Sequence, residues 1–565
     1  MQTVEIVKKW KGKQMGFEWA NEDSRVFFKR GYFECSVEER VRQISDAAEK
    51  SLEHKGFADK FYYYMSQGFY SLASPVWANY GHGTALPISC NGQMVSDSVS
   101  SIMEKVAEVG MQTKNGAGTS GYFGNIRPRN SAISSGGKSD GAVHYMNLWE
   151  STVDIVSQNT IRRGSYSPWY PVEGDDIEEF LEIREEGSTI QRLNPGITVT
   201  NQWMADMIDG KSENRKIWAR VIRKRNETGY PYIMYTDTVN NNKPQVLKDL
   251  DIPIWASNLC SEICLPSSAD ESFVCDLMSM NILKYDEWKN TDAVKVAIWF
   301  LDAVMEEYIE KTENVPFMEA SRKFAMRWRA LGLGQLGWHS YLQSRMIPFE
   351  SFKAHILAGE VSKFIQEQSY EASKELAIEY GEPSGLIGYG LRNLTLNAIA
   401  PTTSSSFALG QVSPSIEPEQ SNYYTKDLAK GKFTYRNPYL NNVIVDHLVL
   451  GTTDMSHDEI WNSILMKGGS VQHLPFLSQT EKDVFKTFSE ISPLVVIQQA
   501  AERQKYIDQS QSLNLMIPPG TPAKEVNALM IEAWKLGIKT LYYQRSSNPA
   551  QQLVRDIMDC EACSA

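Results

Sequence analysis

Asn258-Leu259-Cys260-Ser261-Glu262 is the stretch from which the rest of the chain is best read. In an extended segment, side chains two apart share a face. An amide, a thiol and a carboxylate are therefore expected along one wall of a site. Read alone, Cys260 is a buried core thiol, since free cysteine is among the most buried residue types. The carboxylate of Glu262 works against that reading, because a buried glutamate must be paired or put to use. Cys264 continues the alternation and is expected to pack.

Two distant features extend the theme. Tyr542-Tyr543 supplies two phenols, which are among the few side chains oxidised by one electron with proton loss. As ordinary strand residues they would face opposite sides of a sheet. Cys560-Glu561-Ala562-Cys563 closes the chain with a dithiol. A zinc half-site is one reading of that pair, but zinc wants four ligands and the sequence offers no second such pair. A thioredoxin-like motif opens a helix inside a βαβ unit, which a chain end does not supply. A mobile dithiol exchanging with disulfides fits best. Cys90 and Cys275, each flanked by apolar residues, read as buried thiols, and Cys35 has no chemical neighbours.

The composition sets bounds on all this. At 565 residues the chain can bury a large core, and length alone suggests two to four domains. Its apolar and charged fractions, 42% and 22%, are those of a globular protein. The net charge, 57 − 69 = −12, argues against a non-specific nucleic-acid binder. Nucleotides remain possible ligands, because backbone N–H groups bind phosphate without net positive charge. There is no signal-peptide pattern in Met1 to Lys9 and no apolar run of membrane-spanning length, so a soluble cytoplasmic protein is expected. Seven cysteines, an odd number in a long chain, point to reduced thiols rather than a disulfide framework.

Periodicity predicts a mainly helical segment over residues 1–85, with one helix from Val37 through Ala58. Beyond it, short apolar runs alternate with helical stretches. Ile197–Thr200, Ile252–Trp255 and Ile538–Tyr543 read as strands, and Lys295–Tyr308 and Leu357–Tyr380 as amphipathic helices. That alternation favours an α/β architecture with considerable parallel pairing. Glycine-rich stretches at 115–124 and 134–141 lack the phosphate-loop spacing.

In order and approximate spacing, these pieces resemble the large, catalytic subunit of class I ribonucleotide reductases. The resemblance runs from about residue 60 to the end. Its motifs include Ala73-Ser74-Pro75, Ser89-Cys90, the Asn258 to Glu262 motif, Cys275, Leu396 to Ser405, Ser415 to Pro418, Leu541 to Gln544 and the tail cysteines. It implies a ten-stranded α/β barrel of two parallel five-stranded halves over residues 86–544. A helical domain over 1–85 would precede the barrel, a small α/β region would be inserted around 345–390, and a redox-active tail over 545–565 would follow.

The resemblance further implies that Cys260, on a loop inside the barrel, becomes a thiyl radical and abstracts the 3′ hydrogen of a ribonucleoside diphosphate. Glu262 would be the general base on the 3′ hydroxyl and Asn258 its hydrogen-bonding partner. Cys90 and Cys275 would supply two electrons and end as a disulfide, which Cys560 and Cys563 would reduce before being reduced by thioredoxin or glutaredoxin. The 17 residues from Tyr543 to Cys560 reach roughly 55 to 60 Å when extended. Tyr542 and Tyr543 would relay the radical from a ferritin-like small subunit carrying a dimetal (iron or manganese) cofactor.

Substrate binding is expected from Ser74, Ser89, Gly121, Pro401, Thr402, Thr403, Ser404 and Ser405. Asp97, Gln191 and Arg192 match an allosteric site for dNTP or ATP effectors near a homodimer interface, and Lys138 is the candidate substitute for an arginine that relatives often carry in the first loop of that site. Many relatives begin with a helical ATP-binding module, and it is expected to be missing here. The alternatives are an adenosylcobalamin-dependent reductase, which has no need for a tyrosine relay, and a non-catalytic nucleotide-binding paralogue, which has no need for the cysteines.

Overall fold

The computed structural model describes residues 16–546, apart from Ser89, Ser135, 158–163 and 429–430. Cys560 and Cys563 therefore lie outside the described residues, as does Ser89.

The chain enters through three helices, Glu22–Gly31, Val37–Leu52 and Phe57–Ser66. A reciprocal cap between Ser36 and Glu39 starts the second, satisfying two otherwise orphaned N–H groups. The single helix expected over 37–58 is two helices. The first stops at Glu53, which takes a left-handed conformation (φ 49°), and Gly56 (φ 91°) opens the next. Strand β1 (Tyr70–Leu72) follows.

Five parallel strands come next in simple order: β2 (Cys90–Met94), β3 (Gly118–Tyr122), β4 (Ser165–Pro171), β5 (Gly196–Val199) and β6 (Tyr232–Tyr235). Helices such as Val99–Lys114, Gly141–Val156 and Ser212–Thr228 make the crossovers. The second half begins with β7 (Phe273–Asn281), parallel to β8 (Leu331–Leu336) and edged by antiparallel β1. It continues through two extended segments held by single bridges. Leu333 N donates to Leu396 O at 2.7 Å, and Ile399 N to Ser510 O at 3.0 Å. The last chain passages are β11 (Leu515–Met516), β12 (Thr540–Leu541) and β13 (Gln544–Arg545), with β11 parallel to β13.

Counting segments 395–399, 509–516 and 540–545 with β7 and β8, each half has five parallel strands, and the expected barrel is present. Antiparallel pairing closes it twice, β2 against β7 and β6 against β12. These two seams organise the site. Ile252–Trp255, expected as a strand, pairs with no strand. Side chains satisfy its backbone instead: Ile254 N donates to Asn240 Oδ1 (2.9 Å), and Ile252 O accepts from Lys243 Nζ (2.7 Å).

The insertion expected around 345–390 is not a separate α/β region. Most of it is one helix, Phe352–Tyr380, whose Ala354, Ala358, Val361, Ile365, Ala372 and Leu376 belong to the main core. The satellite lies later. The hairpin of β9 (Tyr423–Leu428) and β10 (Gly431–Arg436) leads into helices Pro438–Leu450 and His457–Met466. That unit has a small apolar core of its own around Ile444, Trp461, Ile464 and Phe485.

Candidate active site

The motif at 258–262 is a turn, not an extended run. Ser261 has φ 67°, and Ser261 N donates to Asn258 O at 3.3 Å. Asn258 Oδ1 accepts from Ile263 N at 3.1 Å, so the side chain closes the turn it begins. The strand 509–516 holds this finger from one side. Ser510 N donates to Glu262 O (2.9 Å), and Ser512 Oγ bridges Cys260 O (2.6 Å) and Glu262 Oε2 (3.1 Å). Thr540 Oγ1 donates to Ser261 O at 2.6 Å from β12. Thiol and carboxylate reach the same space because the turn is pinned, and not because of strand alternation.

One cavity gathers Ser74, Cys90, Cys260, Glu262, Pro401, Thr402, Thr403, Ser405 and Tyr542. Cys90 and Cys260 are half-buried, and Glu262 is almost wholly buried. Asn258, equally buried, has an amide Nδ2 with no partner among the described residues. A buried donor left unpaired costs free energy unless a ligand meets it.

Cys275 sits directly across the β2–β7 seam from Cys90. Cβ atoms of facing residues in an antiparallel pair stand about 4.5–5.5 Å apart, near the span of a disulfide. No disulfide joins the two in this structure. Burial pushes the Cys275 thiol well up, and the Gln509 amide acts against that by donating from Nε2 to Sγ at 3.4 Å. Cys264, which belongs to the packed core, is pushed up to about 12 by burial.

At the other seam the β6–β12 register puts Leu541 opposite Ile233, so the next residues, Tyr542 and Tyr232, meet. Their rings lie 4.7 Å apart, and Tyr542 and Tyr543 lie 4.2 Å apart. Tyr230 joins them, with its hydroxyl 3.1 Å from that of Tyr543. Arg225, buried on helix Ser212–Thr228, donates to Pro231 O and to Tyr542 O (3.0 Å), tying the two strands. Tyr230, Tyr232, Gln509 and Ser512 carried no signal on their own in the sequence. Tyr230-Pro231-Tyr232 repeats the aromatic character of 542–543, which was the available clue.

The expected phosphate-binding groups divide. Ser74 lines the cavity while its Oγ lies 2.9 Å from Tyr32 OH. Thr402, at φ 53°, turns the chain into helix Thr403–Ala408. Ser404 is buried and is not among the cavity's lining residues. Gly121 does not line it either: a Cβ there would stand 2.0 Å from the Tyr166 hydroxyl, so close packing explains this glycine.

The expected effector residues lie on two surfaces. Asp97 accepts from Arg127 N (3.2 Å) and Nε (2.7 Å), and Lys138 bridges to Ala132 across the neighbouring loop. Gln191 N and Arg192 N each donate to Glu150 Oε1 at 3.0 Å, and Arg192 pairs with Asp154. Among the described residues, no cluster of His, Cys, Asp and Glu is arranged to hold a metal, and no helix is long and apolar enough to cross a membrane.

The family model for the ribonucleotide reductase barrel domain matches residues 88–214, 208–386 and 384–544. The chain belongs to the ribonucleotide reductase large-subunit family. The putative ribonucleoside-diphosphate reductase large subunit of Frog virus 3 is 34% identical, over 86% of this chain and 88% of its own length. The ribonucleoside-diphosphate reductase large chain of Schizosaccharomyces pombe is 29% identical, over 86% of this chain and 68% of its own. Among solved structures, the Actinobacillus ureae class Id ribonucleotide reductase alpha subunit superposes with a TM-score of 0.89 at 49% identity. That match covers 96% of this chain and 100% of the other. Within this reductase chain, the two seams and the finger between them supply thiols, a carboxylate and phenols around one cavity.

Proposed function

We propose that this chain is the catalytic large subunit of a class I ribonucleoside-diphosphate reductase, forming 2′-deoxyribonucleoside diphosphates through a thiyl radical on Cys260. The observation that carries the reading is the one cavity shared by Cys260, Cys90, Glu262 and Tyr542, with Cys275 facing Cys90 across the seam. A binding-only paralogue has no use for that set of oxidisable groups. A cobalamin-dependent enzyme has none for closely packed tyrosines, and one matching solved structure is a class Id alpha subunit.

In this reading Tyr543 and then Tyr542 pass on an oxidising equivalent, and a Tyr542 phenoxyl takes the hydrogen atom of the Cys260 thiol. The thiyl removes the 3′ hydrogen of the ribose. Glu262 accepts the 3′ hydroxyl proton while the unpaired amide of Asn258 donates to that oxygen. The 2′ hydroxyl then leaves as water with a proton from one thiol of the Cys90–Cys275 pair, a step that a radical on the neighbouring carbon makes feasible. Cys90 and Cys275 deliver two electrons and become a disulfide as their second hydrogen goes to the 2′ carbon. Glu262 returns its proton to the 3′ oxygen, and the hydrogen held by Cys260 returns to the 3′ carbon. Cys560 and Cys563 reopen the disulfide and are reduced by thioredoxin or glutaredoxin.

Ser74, Ser89 and the Pro401 to Ser405 run hold the diphosphate. Asp97, Lys138, Gln191 and Arg192 serve the effector nucleotide. A small subunit with a dimetal cofactor supplies the radical. A homodimer is supported by the adjacent helices Val99–Lys114 and Gly141–Val156, which leave Val99 (65%), Met103 (52%) and Ile155 (75%) exposed.

The test is CDP reduction with dithiothreitol and an effector, with either the small subunit or adenosylcobalamin. Turnover only with the small subunit is expected. Turnover with cobalamin alone would demote the tyrosines to packing. Silence in both, with a demonstrably active partner, would favour the binding-only paralogue.

A further inference from the structure

The hydroxyl of Tyr543 meets that of Tyr230, a buried residue just before β6. The direction of this hydrogen bond follows from the network around it. A phenol has one proton, and Tyr230 donates its own to Asn194 Oδ1 at 2.8 Å. Arg184 Nη1 donates to the same oxygen at 3.1 Å. Two donors converging on one atom identify it as the amide carbonyl. With its proton committed, Tyr230 offers a lone pair, so Tyr543 is the donor in the 3.1 Å contact.

The ring of Tyr230 is held as firmly as its hydroxyl. The Arg184 guanidinium lies 4.8 Å from the ring centroid. The Tyr543 ring meets the Tyr230 ring edge-on, with centroids 5.2 Å apart. Arg184 and Asn194 bracket the same segment whose Gln191 and Arg192 rest on Glu150.

We propose that Tyr230 is a positioning residue for the radical relay. It fixes the phenolic proton of Tyr543 and ties that phenol, through Asn194, to the 184–196 segment. The inference rests on the relay reading of Tyr543. Its physical basis is that a phenol gives up an electron at neutral pH only as its proton moves, so a fixed acceptor sets the geometry from which oxidation starts. Any displacement of Asn194 releases the Tyr230 proton and changes what Tyr543 can donate to. The segment that bears the expected effector contacts thereby has a hydrogen-bonded route to the relay.

The test uses the complete enzyme with its radical-bearing partner and CDP as substrate. Tyr230→Phe keeps the ring packing and removes only the hydroxyl. The expected result is a kcat lowered roughly three- to tenfold, the scale of one hydrogen bond, with KM for CDP and the melting temperature unchanged. Asn194→Leu should lower kcat similarly. Combining the two should add little, because both break one network. Tyr543→Phe is run beside them. If Tyr543→Phe is inactive while Tyr230→Phe turns over at the wild-type rate, the positioning role is wrong and the relay stands. A Tyr230→Phe enzyme that melts lower or shows a raised KM with normal kcat would reduce Tyr230 to a packing residue. An active Tyr543→Phe enzyme would overturn the relay reading itself.

Discussion

At the β2–β7 seam the facing residues are Cys90 with Cys275 and Gly92 with Phe273, packed so closely that a Cβ on Gly92 would stand 2.0 Å from the Phe273 ring. At the β6–β12 seam Tyr542 meets Tyr232, and their neighbours Tyr543 and Tyr230 join hydroxyls, with Tyr230 reaching on to Asn194. The same structural event, a parallel half-barrel meeting its partner in antiparallel register, thus serves opposite chemistry. The thiol seam runs from the cavity, at Cys90, to the fully buried Cys275, whose thiol burial pushes well up. The phenol seam carries a polar network in which the Tyr543 hydroxyl meets that of Tyr230 and Tyr230 donates to Asn194 Oδ1. An electron pair held by two thiols needs proximity and protection, whereas a migrating radical needs closely packed rings and directed protons.

The sharpest way to break this division is to disable the phenol seam and look at the thiols. Tyr542→Phe keeps the ring packing and removes the oxidisable hydroxyl. Turnover is expected to fall below detection. With substrate present and no external reductant, Cys90 and Cys275 should both stay alkylatable, whereas in the parent enzyme turnover run until it stops should consume both dithiols and leave Cys90 and Cys275 as a disulfide. Peptide mass spectrometry after alkylation distinguishes the two. A disulfide in the variant would show that the thiols oxidise without the relay.

Glu262 stands between the seams, and its replacement by glutamine preserves shape and the contact to Ser512. Loss of the general base should lower kcat by about 10²–10⁴ with little change in substrate affinity. A variant within a few-fold of the parent rate would remove Glu262 from the chemistry.

The sequence made the thiol side more legible than the phenol side, for a physical reason. A thiol two residues from a buried glutamate is chemically conspicuous, so Cys260 and Glu262 stand out in the sequence, whereas Cys90 and Cys275 read as buried thiols until the family resemblance gives them a role. The geometry that unites them does not stand out. Ser261 adopts a left-handed conformation that no glycine announces, and a turn replaces the expected extended wall. Tyr230 and Tyr543 are 313 residues apart, and only the closing strand pair brings them into contact. The ten-strand barrel followed from the family resemblance, since segments 395–399 and 509–512 are too weakly bridged to announce themselves as strands. The misplaced insertion has a similar origin. A 29-residue helix reads as a unit of its own until its small residues are seen buried in the main core.

Stability offers a second comparison between the seams. Arg225 spans the phenol seam with charge-assisted bonds to the carbonyls of Pro231 and Tyr542, and burial lowers its pKa to about 10, so it stays charged at neutral pH. Arg225→Met leaves both carbonyls without that donor, and a loss of about 2–4 kcal/mol is expected in thermal or urea unfolding. Gly92→Ala strains the thiol seam by overpacking and should cost about 1–3 kcal/mol. An Arg225→Met enzyme as stable as the parent would show that the polar network serves chemistry alone.

The smallest expected effect tests how the thiol seam is tuned. Gln509 gives Cys275 an N–H, which favours the thiolate, against burial, which favours the thiol. Gln509→Leu removes the donor, so the thiol pKa rises further. At any pH below that value the thiolate fraction then falls, and the pH–rate curve for steady-state turnover with excess dithiothreitol moves toward alkaline pH. The rate at pH 7 should drop roughly three- to tenfold, the deficit should be largest at the acid end, and the curves should converge as pH rises. Coincident profiles would mean that Gln509 only fills space between β8 and the 509–516 strand. A uniform loss at every pH would mean that it orients the sulfur without altering its proton. Only a displaced curve makes the thiol seam, like its counterpart, a place where a neighbouring side chain governs a proton.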